Sequence, residues 1–519
     1  MLNVLFITAD QWRGDCLSAL GHPCVRTPHL DRLAESGVLF ARHFSQATPC
    51  GPGRASLYTG LYLHNHRVVI NGTPLDARHT NVALEARKLG YDPVLFGYTD
   101  TAPDPRARAP GDPDLLRTYG GVLPGMTAVV PLDDDHWPWR RHLARRGYDL
   151  PADASALFAP RHDDRAPGQA IGAAALGYPE EDGPSGFLTG EVIEHLSVKR
   201  PEPWFVHVSY LAPHPPFIAS APYNSMYDPD DVPPPIRAAT PEAEARQHPY
   251  LAWHLRHQRG SGIAWDHDPR TNLELDDRDI RQARANYYAM MSEVDAQIGR
   301  LLASLRASGE DERTLVVFAS DHGEHLGDHW QFSKFSYFDQ TFHVPLIIRD
   351  PRPAAARGRG RRVSAFTENV DVMPTILEAI GLETPHQCDG ESLAPFLAGD
   401  TPAGWRREAH FALDFRDILG HPGSEALGLA PDQCAMYALR GERYKYVHFT
   451  AMPPLFFDLG DDPDELVDRA GDPRYRDRAL EYARKMLSWR MNHDERLLAN
   501  VRLTPDGVVD RRPARTGAR

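Results

Sequence analysis

The sequence has few cysteines and no long apolar run. Its five cysteines are Cys16, Cys24, Cys50, Cys388 and Cys434. This odd number without zinc-knuckle spacing predicts neither a disulfide framework nor a structural zinc site. No apolar stretch approaches the roughly 20 residues that a membrane helix requires, and the first residues lack the basic and apolar regions of a signal peptide. We therefore expect a cytoplasmic protein without membrane contact.

The chain also lacks a surplus of basic residues. It has 57 Lys and Arg against 71 Asp and Glu, which gives a formal net charge of -14. A nucleic-acid partner would need a basic face, so we expect none. A small anionic ligand is compatible with this charge, because a local group of cationic side chains and a metal ion can reverse the field at one site.

Short apolar runs alternate with helical patterns through most of the chain. The runs that indicate buried strands cover residues 4–8, 93–98, 204–210, 314–320 and 344–348. Helices are predicted at residues 27–36, 55–61, 81–88, 277–305 and 370–380. This alternation predicts an α/β fold in which helices cover both faces of a large, mostly parallel sheet.

The pattern changes after residue 381. Residues 435–449 and 454–459 indicate antiparallel strands, and residues 475–491 indicate a helix. We expect a main domain over residues 1–380, a smaller C-terminal α+β subdomain over 381–503 and a mobile tail over 504–519. Two segments near 101–183 and 228–278, poor in periodicity, are predicted to be surface insertions that shape a substrate entrance or a homo-oligomer contact.

Polar residues follow four of the predicted strands at the point where each strand ends. They are Asp10-Gln11, Tyr98-Thr99-Asp100, His214 and Asp321-His322. Ligands of open α/β sheets bind at the carboxyl ends of the strands. A single such residue is ordinarily a helix cap or a loop residue, whereas four coincident endings predict a binding site.

Asp10, Asp321 and His322 suit one divalent cation, since they offer two carboxylates and an imidazole. Gln11 could add an oxygen ligand or a hydrogen bond. An all-oxygen site would favour calcium or magnesium, while the imidazole shifts the expectation toward manganese, zinc or iron, with manganese preferred. The alternative for His322 is a histidine that only orients other groups in a Gly-flanked turn.

The segment Cys50-Gly51-Pro52-Gly53-Arg54 reads as a turn that opens a helix. A group at a helix N-terminus meets unpaired amide donors and the positive end of the helix dipole, which is a natural anion site. Arg54, one turn further, could hold an oxyanion by paired hydrogen bonds. The alternative for an unmodified Cys50 is a small buried thiol.

The chain resembles the formylglycine-dependent sulfatase and phosphonate monoester hydrolase family of the alkaline phosphatase superfamily. The resemblance runs from the first strand to Phe456-Phe457-Asp458-Leu459, and its most specific piece is the pentapeptide at Cys50, which matches the Cys-x-Pro-x-Arg signature that a maturation enzyme oxidises to formylglycine. The run from Ser320 to His329 fits the same family. The resemblance implies an alkaline-phosphatase-like fold, with the catalytic domain at residues 1–380.

The resemblance also implies site residues. The metal ligands would be Asp10, Asp321, His322 and the modified Cys50, and the remaining pocket residues would be Gln11, Arg54, Asn71, Tyr98, His214 and Lys334. Asp100 is a further candidate for substrate binding, because it lies two residues from Tyr98 and can face the same side; the family carries a neutral or basic group there. A turn residue is the alternative for Asn71, and a solvated lysine the alternative for Lys334. The aldehyde would hydrate to a diol, of which one hydroxyl attacks the phosphorus or sulfur. His214 is the first candidate for the base that later removes the proton of the other hydroxyl.

Two features favour phosphonate monoesters and phosphodiesters, with side activity on sulfate monoesters, as the substrates. Asp10-Gln11 replaces the Asp-Asp pair common in sulfatases, and His322 stands where many sulfatases carry Asn. Few cationic side chains suit an ester with one negative charge, and a carboxylate at Asp100 disfavours a dianion. The competing hypotheses are a dedicated arylsulfatase or alkyl sulfatase and, more remotely, a non-catalytic anion-binding protein.

Overall fold

The structure is a computed structural model that describes residues 1–109, 111–112, 120–198, 200, 202–258, 263–266, 270–418, 420–495 and 497–511. The strands are β1 (Asn3–Ala9), β2 (Val38–Phe44), β3 (Ala47–Thr48), β4 (Pro93–Gly97), β5 (Thr127–Pro131), β6 (Phe205–Tyr210), β7 (Thr314–Ala319), β8 (Leu346–Arg349), β9 (Arg361–Glu368), β10 (Ala409–Asp414), β11 (Ala435–Arg440), β12 (Tyr444–Phe449), β13 (Leu455–Asp458), β14 (Val501–Thr504) and β15 (Gly507–Asp510).

The helices are of very different lengths. They are α1 (Pro28–Ser36), α2 (Cys50–Thr59), α3 (Leu63–His66), α4 (Val82–Arg87), α5 (Trp137–Arg145), α6 (Pro184–Ser197), α7 (Pro241–Ala245), α8 (Pro249–His257), α9 (Asp277–Ser308), α10 (Asp339–Phe342), α11 (Val372–Ile380), α12 (Ala394–Leu397), α13 (Gly423–Leu427) and α14 (Arg476–Asn492). No helix in these described segments is long and apolar enough to cross a membrane.

The main sheet has eight strands in the order β5-β4-β6-β1-β7-β8-β2-β9. The five strands from β5 to β7 pair in parallel with one another, β8 runs antiparallel to both β7 and β2, and β9 pairs in parallel with β2. All five apolar runs of the sequence lie in this sheet, as β1, β4, β6, β7 and β8. The mixed, mostly parallel α/β fold is therefore confirmed.

Alternation along β1 shows how the sheet joins two helical layers. Leu5 and Ile7 pack in the cluster that includes helix α9, while Val4 and Phe6 point to the other face and pack in the cluster that includes helix α11. Successive side chains of a strand face opposite sides, so a strand that is apolar at every position must be covered on both faces. Every residue of β1 is buried.

A second sheet of five strands has the order β13-β12-β11-β10-β3. Strands β10 to β13 pair antiparallel, and helix α14 packs on one face through Tyr482 and Met486, in agreement with the smaller C-terminal α+β unit. Strand β3, which directly precedes α2, pairs in parallel with β10. The smaller sheet is therefore completed by a piece of the N-terminal part.

The edges of the main sheet were not predicted from the sequence. Strand β9 exposes part of its length, and β5 lies within the segment 101–183 that was expected to be an insertion. Edge strands carry mixed polar and apolar residues, which hides the periodicity of a buried strand. Within the tail, β15 pairs with β14, and residues 512–519 lie outside the described residues. The domain boundary after residue 380 stays a prediction.

Candidate active site

The carboxyl ends of four parallel strands bring the predicted polar residues to one edge of the main sheet. Asp10 follows β1, Asp321 lies two residues beyond β7, and these two strands are direct neighbours. Tyr98 follows β4, and His214 lies after β6. Helix α2 begins at Cys50 on the same edge, so that its N-terminus faces the two carboxylates.

Four of these residues place donor atoms close enough for one ion. Single atoms of Asp10, Cys50, Asp321 and His322 all lie within 4.8 Å of one another, and all four residues are buried. His322 Nε2 lies 3.7 Å from an oxygen of Asp10 and 3.8 Å from an oxygen of Asp321. Two carboxylates, an imidazole and a group on Cys50 fit a divalent metal ion.

The hydrogen bonds of His322 leave one ring nitrogen available as a ligand. Its Nδ1 lies 3.0 Å from the carbonyl oxygen of Gly323 and can only donate there, so Nε2 carries the lone pair. Burial, and then the charge of Lys334, hold the pKa of His322 well below its usual value. The imidazole is therefore neutral, which is the form that binds metals.

The two carboxylates show that the site is built for positive charge. Burial alone would raise the pKa of Asp10, but His214, Lys334 and Arg54 together hold it far below its ordinary range. Burial and the neighbouring charge of Asp10 raise the pKa of Asp321. A divalent cation between the two carboxylates would remove this repulsion.

Arg54 lies behind the carboxylates and is fully engaged there. Its Nε donates to Asp321 at 2.9 Å, its Nη2 donates to Asp10 at 3.1 Å, and its Nη1 donates to Ser209 Oγ and to the carbonyl oxygen of Tyr98, both at 2.9 Å. The guanidinium is 1% exposed and is not part of the cavity wall. The expected contact with the substrate oxyanion is thus replaced by a contact with two candidate metal ligands.

Cys50 is buried beside the carboxylate of Asp10, and these two effects outweigh the charge of Lys334, which favours a thiolate. Its Sγ lies 3.0 Å from Lys334 Nζ, 3.2 Å from His322 Nε2 and 3.8 Å from an oxygen of Asp10. Burial, followed by the charge of Asp10, raises the pKa of the thiol well above its ordinary value. An unmodified Cys50 is therefore a neutral thiol and a poor nucleophile, because the thiolate is the reactive form.

Gly53 explains part of the spacing in the pentapeptide. A Cβ at this position would lie 2.7 Å from the carbonyl oxygen of Asp321 and 3.0 Å from that of Ala47. Both are backbone atoms, which cannot move aside as a flexible side chain would. Only glycine lets helix α2 approach the end of β7 closely enough to bring Cys50 to the metal ligands.

Lys334 contacts Cys50 directly, and Gln11 in turn contacts Lys334. Lys334 Nζ donates to Gln11 Oε1 at 2.8 Å as well as contacting Cys50, and its pKa is raised despite burial, with the carboxylates of Asp10 and Asp321 among the causes. Gln11 Nε2 donates to Glu324, which also accepts from two backbone amides. The role of Glu324 was missed in the sequence, although it lies in the quoted run from Ser320 to His329.

The other predicted pocket residues lie on the same side of the site. Tyr98 donates to Asp10 at 2.5 Å, and Asn71 Oδ1 accepts from the amide of Gly51 at 2.9 Å, at the start of α2. His214 Nδ1 lies 2.7 Å from the carbonyl oxygen of Pro215. Asp100 is 5% exposed, and burial raises its pKa to about 7.

A cavity of about 1050 Å³ opens above this group. Eight of the predicted site residues line this cavity: Asp10, Gln11, Cys50, Asn71, Tyr98, Asp100, His214 and Lys334. The other three, Arg54, Asp321 and His322, lie behind its wall. Lys334 is the one lysine or arginine on this wall within the part of the chain that the structure describes. The wall around Cys50 thus offers a single permanent positive charge besides any metal ion.

Comparisons with known proteins agree with this geometry. A family model described as Sulfatase matches residues 2–382, and one described as N-sulphoglucosamine sulphohydrolase, C-terminal, matches residues 327–492. The chain is 42% identical to the multifunctional alkaline phosphatase superfamily protein PehA of Trinickia caryophylli, over 98% of this chain and 99% of that protein.

Two solved structures are similar over their whole length. The phosphonate monoester hydrolase of Agrobacterium radiobacter is 46% identical, with a TM-score of 0.94 and coverage of 99% of this chain and 100% of that one. The phosphonate monoester hydrolase SpPMH from Silicibacter pomeroyi is 38% identical, with a TM-score of 0.91 and coverage of 99% of both chains.

Proposed function

Because the chain belongs to the sulfatase family, it is an ester-hydrolysing enzyme, and we propose that it cleaves phosphonate monoesters and phosphodiesters with side activity on sulfate monoesters. The relatives named above support this substrate class, since two of them are phosphonate monoester hydrolases. The observation that carries the proposal is the group of Asp10, Cys50, Asp321 and His322, with a cysteine at the N-terminus of α2.

We infer that Cys50 is the precursor of a formylglycine nucleophile. The neutral thiol described above would attack poorly, and the Cys-x-Pro-x-Arg pattern is the substrate of the maturation enzyme that the family uses. A bound divalent ion, with manganese preferred, would act as a Lewis acid that lowers the pKa of an oxygen nucleophile and neutralises the transferred group. Asp10, Asp321 and His322 would hold that ion.

Lys334 is positively charged near pH 7, whereas His214 is neutral and can accept a proton. Lys334 keeps its charge because the neighbouring carboxylate of Asp10 opposes the effect of burial on its pKa, so it stabilises negative charge on the transferred group. Burial, and then Lys334, lower the pKa of His214 to about 4, so its imidazole is neutral near pH 7. Since Nδ1 donates to Pro215, Nε2 is free to accept the proton that must leave the nucleophile in the second half of the reaction.

The balance of charge favours substrates with one negative charge. Arg54 is committed to Asp10 and Asp321, so Lys334 is the permanent cation left for the substrate, and Asp100 adds a carboxyl group to the wall. A phosphate monoester would bring a second negative charge without a second cation to meet it. Phosphodiesters, phosphonate monoesters and sulfate monoesters each carry one.

A rate panel with metal analysis tests this proposal. The purified enzyme, co-expressed with the maturation enzyme, would be assayed on para-nitrophenyl phenylphosphonate, a para-nitrophenyl phosphodiester and para-nitrophenyl sulfate, with mass analysis of the peptide that contains Cys50. We expect the highest kcat/KM on the phosphorus esters and the mass of formylglycine at position 50. A strong preference for sulfate would establish the dedicated sulfatase instead, and an unconverted, inactive protein would support the anion-binding hypothesis.

Three further expectations stay proposals. They are a cytoplasmic location, a physical encounter with a formylglycine-generating enzyme and a homo-oligomeric state. Size-exclusion chromatography with light scattering measures the last, and fractionation of the producing cells measures the first.

A further inference from the structure

Two carboxyl groups on the cavity wall follow the ends of two neighbouring parallel strands. Strands β4 and β5 pair in parallel, with Gly97 opposite Pro131, and the amide of Leu132 donates to the carbonyl oxygen of Gly97 at 2.9 Å. Asp100 follows β4 by three residues, and Asp133 follows β5 by two. Both line the cavity that contains Cys50.

One oxygen of each of these carboxyl groups is buried without a hydrogen-bond partner among the described residues. Asp100 is 5% exposed, and its Oδ1 has no hydrogen-bond partner among the described residues. The Oδ1 atom of Asp133 is likewise buried and has no hydrogen-bond partner within the residues that the structure describes. An unpaired buried polar atom costs free energy, so a ligand that brings a positive charge to this wall recovers it.

The wall beyond the reacting centre is rich in carboxyl groups. Besides Asp100 and Asp133 it includes Asp134 and Asp417, whereas Lys334, the one lysine or arginine that the described residues place on it, is occupied by Gln11 and Cys50. Burial lowers the pKa of His136, which lies on the same wall, so that this imidazole adds no positive charge near pH 7. A purely anionic substrate would be repelled by this part of the cavity.

Aromatic rings accompany the carboxylates. The amide of His136 donates to the carbonyl oxygen of Asp133 at 3.0 Å, and the His136 ring lies 5.5 Å from the ring of Phe158, which also lines the cavity. Trp253 and Phe335 add further rings to the wall. Carboxylates and aromatic rings on one wall are the combination that binds alkylammonium groups, through ion pairing and cation–π attraction.

We propose that the preferred substrate is zwitterionic, with an ammonium group on one ester substituent that binds between Asp100, Asp133 and the aromatic wall. The proposal rests on the function proposed above and names its substrate class more closely. The negative phosphoryl or phosphonyl group would meet Lys334 and the metal ligands, while the ammonium group would meet the carboxylates further up the wall.

A matched pair of diesters tests the proposal. One is the choline ester of para-nitrophenyl phosphate, and the other is its neutral isostere, in which a tert-butyl group replaces the trimethylammonium group. Shape and leaving group are the same, so the ratio of the two kcat/KM values reports the added charge alone. We expect a ratio of about 10 in favour of the cationic ester, and a fall to about 2 in Asp133→Asn and in Asp100→Asn.

Asp135→Asn provides the control, since Asp135 is an exposed neighbour that does not line the cavity. This variant should keep the wild-type ratio. Because Asp133 is only half-buried, its variant remains informative if Asp100→Asn fails to fold.

Each other result has a defined meaning. If both diesters are hydrolysed at equal kcat/KM, the ammonium site is refuted while the proposed function stands. A ratio that stays at 10 in both Asp variants refutes the assignment to these residues. If neither diester reacts but para-nitrophenyl sulfate does, the proposed function fails and the zwitterionic substrate fails with it.

Discussion

Replacing Arg54 by lysine keeps a positive charge between Asp10 and Asp321 but removes the planar fork that holds them. Arg54 makes four hydrogen bonds of 3.1 Å or shorter, in different directions from one plane. A lysine ammonium group has three tetrahedral donors, so it leaves one or two of these buried acceptors unpaired. At about 1–3 kcal/mol for each unpaired group, the unfolding free energy should fall by about 2–4 kcal/mol.

The same substitution should weaken metal binding. The guanidinium fixes the position of both carboxylates, and loss of such supporting contacts typically costs about 10- to 100-fold in metal affinity. We expect this loss to appear as a reduced metal content after dialysis, measured by elemental analysis, and as a higher metal concentration for half-maximal activity.

Arg406→Lys is the matched control. Arg406 bridges the buried Glu368 and Asp371 in the same way that Arg54 bridges its pair, but these carboxylates are not in the candidate metal group. Both variants should lower Tm, and only Arg54→Lys should lose metal. Equal metal affinity in Arg54→Lys and wild type would refute the positioning role.

Three other variants test separate parts of the structure. Cys50→Ala should abolish turnover and leave Tm within a few degrees of wild type, and residual activity above that of the buffer would contradict a nucleophile at this position. Gly53→Ala should destabilise the fold by about 1–3 kcal/mol, because its Cβ would meet the backbone of Asp321 at 2.7 Å. The control is Gly190→Ala, in open space on α6, which should be neutral or stabilising. Denaturant unfolding measures both variants, and equal effects would refute the close approach at Gly53. His207 is fully buried, and burial lowers its pKa from 6.5 to about 3, so its contribution to stability is complete above pH 6.5 and is lost as the pH falls toward 3. From pH 7 to pH 5 the loss is about 2 kcal/mol, and His207→Gln, which cannot titrate, should show a decline smaller by that amount; an unchanged pH slope would show that the neutral imidazole is not what the fold requires.

The sequence predicted the part of the site that depends on strand ends. Asp10 and Asp321 follow fully apolar runs, and because adjacent parallel strands end at one edge, their proximity follows from the fold class alone. Cys50 was predicted from the Cys-x-Pro-x-Arg motif and not from the end of a strand. These residues needed no knowledge of side-chain direction.

The sequence did not predict the direction in which a side chain points. Arg54 lies in the same motif, but whether a guanidinium faces a substrate or the rear of two carboxylates depends on how deeply α2 is inserted, which Gly53 and the backbone around Asp321 decide. Glu324 was missed for the same reason, since its partner Gln11 lies in a distant part of the chain.

The acidic wall was hidden by an unrecognised strand. Asp133 appeared to lie in a surface insertion, because β5 has only one buried residue of five and lacks the apolar continuity of the central strands. The pairing of β5 with β4 brings Asp133 to the same edge of the sheet as Asp100. A weak edge strand thus carried a binding residue that local patterns could not place.

The pairing of β3 with β10 has a consequence for the order of events during synthesis. Ala47 pairs with Ala412, so the segment just before Cys50 cannot reach its final position until the ribosome has made most of the chain. At a synthesis rate of about 5–20 residues per second, roughly 20 to 70 seconds pass between the synthesis of Ala47 and that of Ala412. In the finished fold Cys50 is 4% exposed, beyond the reach of another enzyme. If Cys50 is converted as proposed, its oxidation must precede the burial of this segment, and slower folding would then allow more complete conversion.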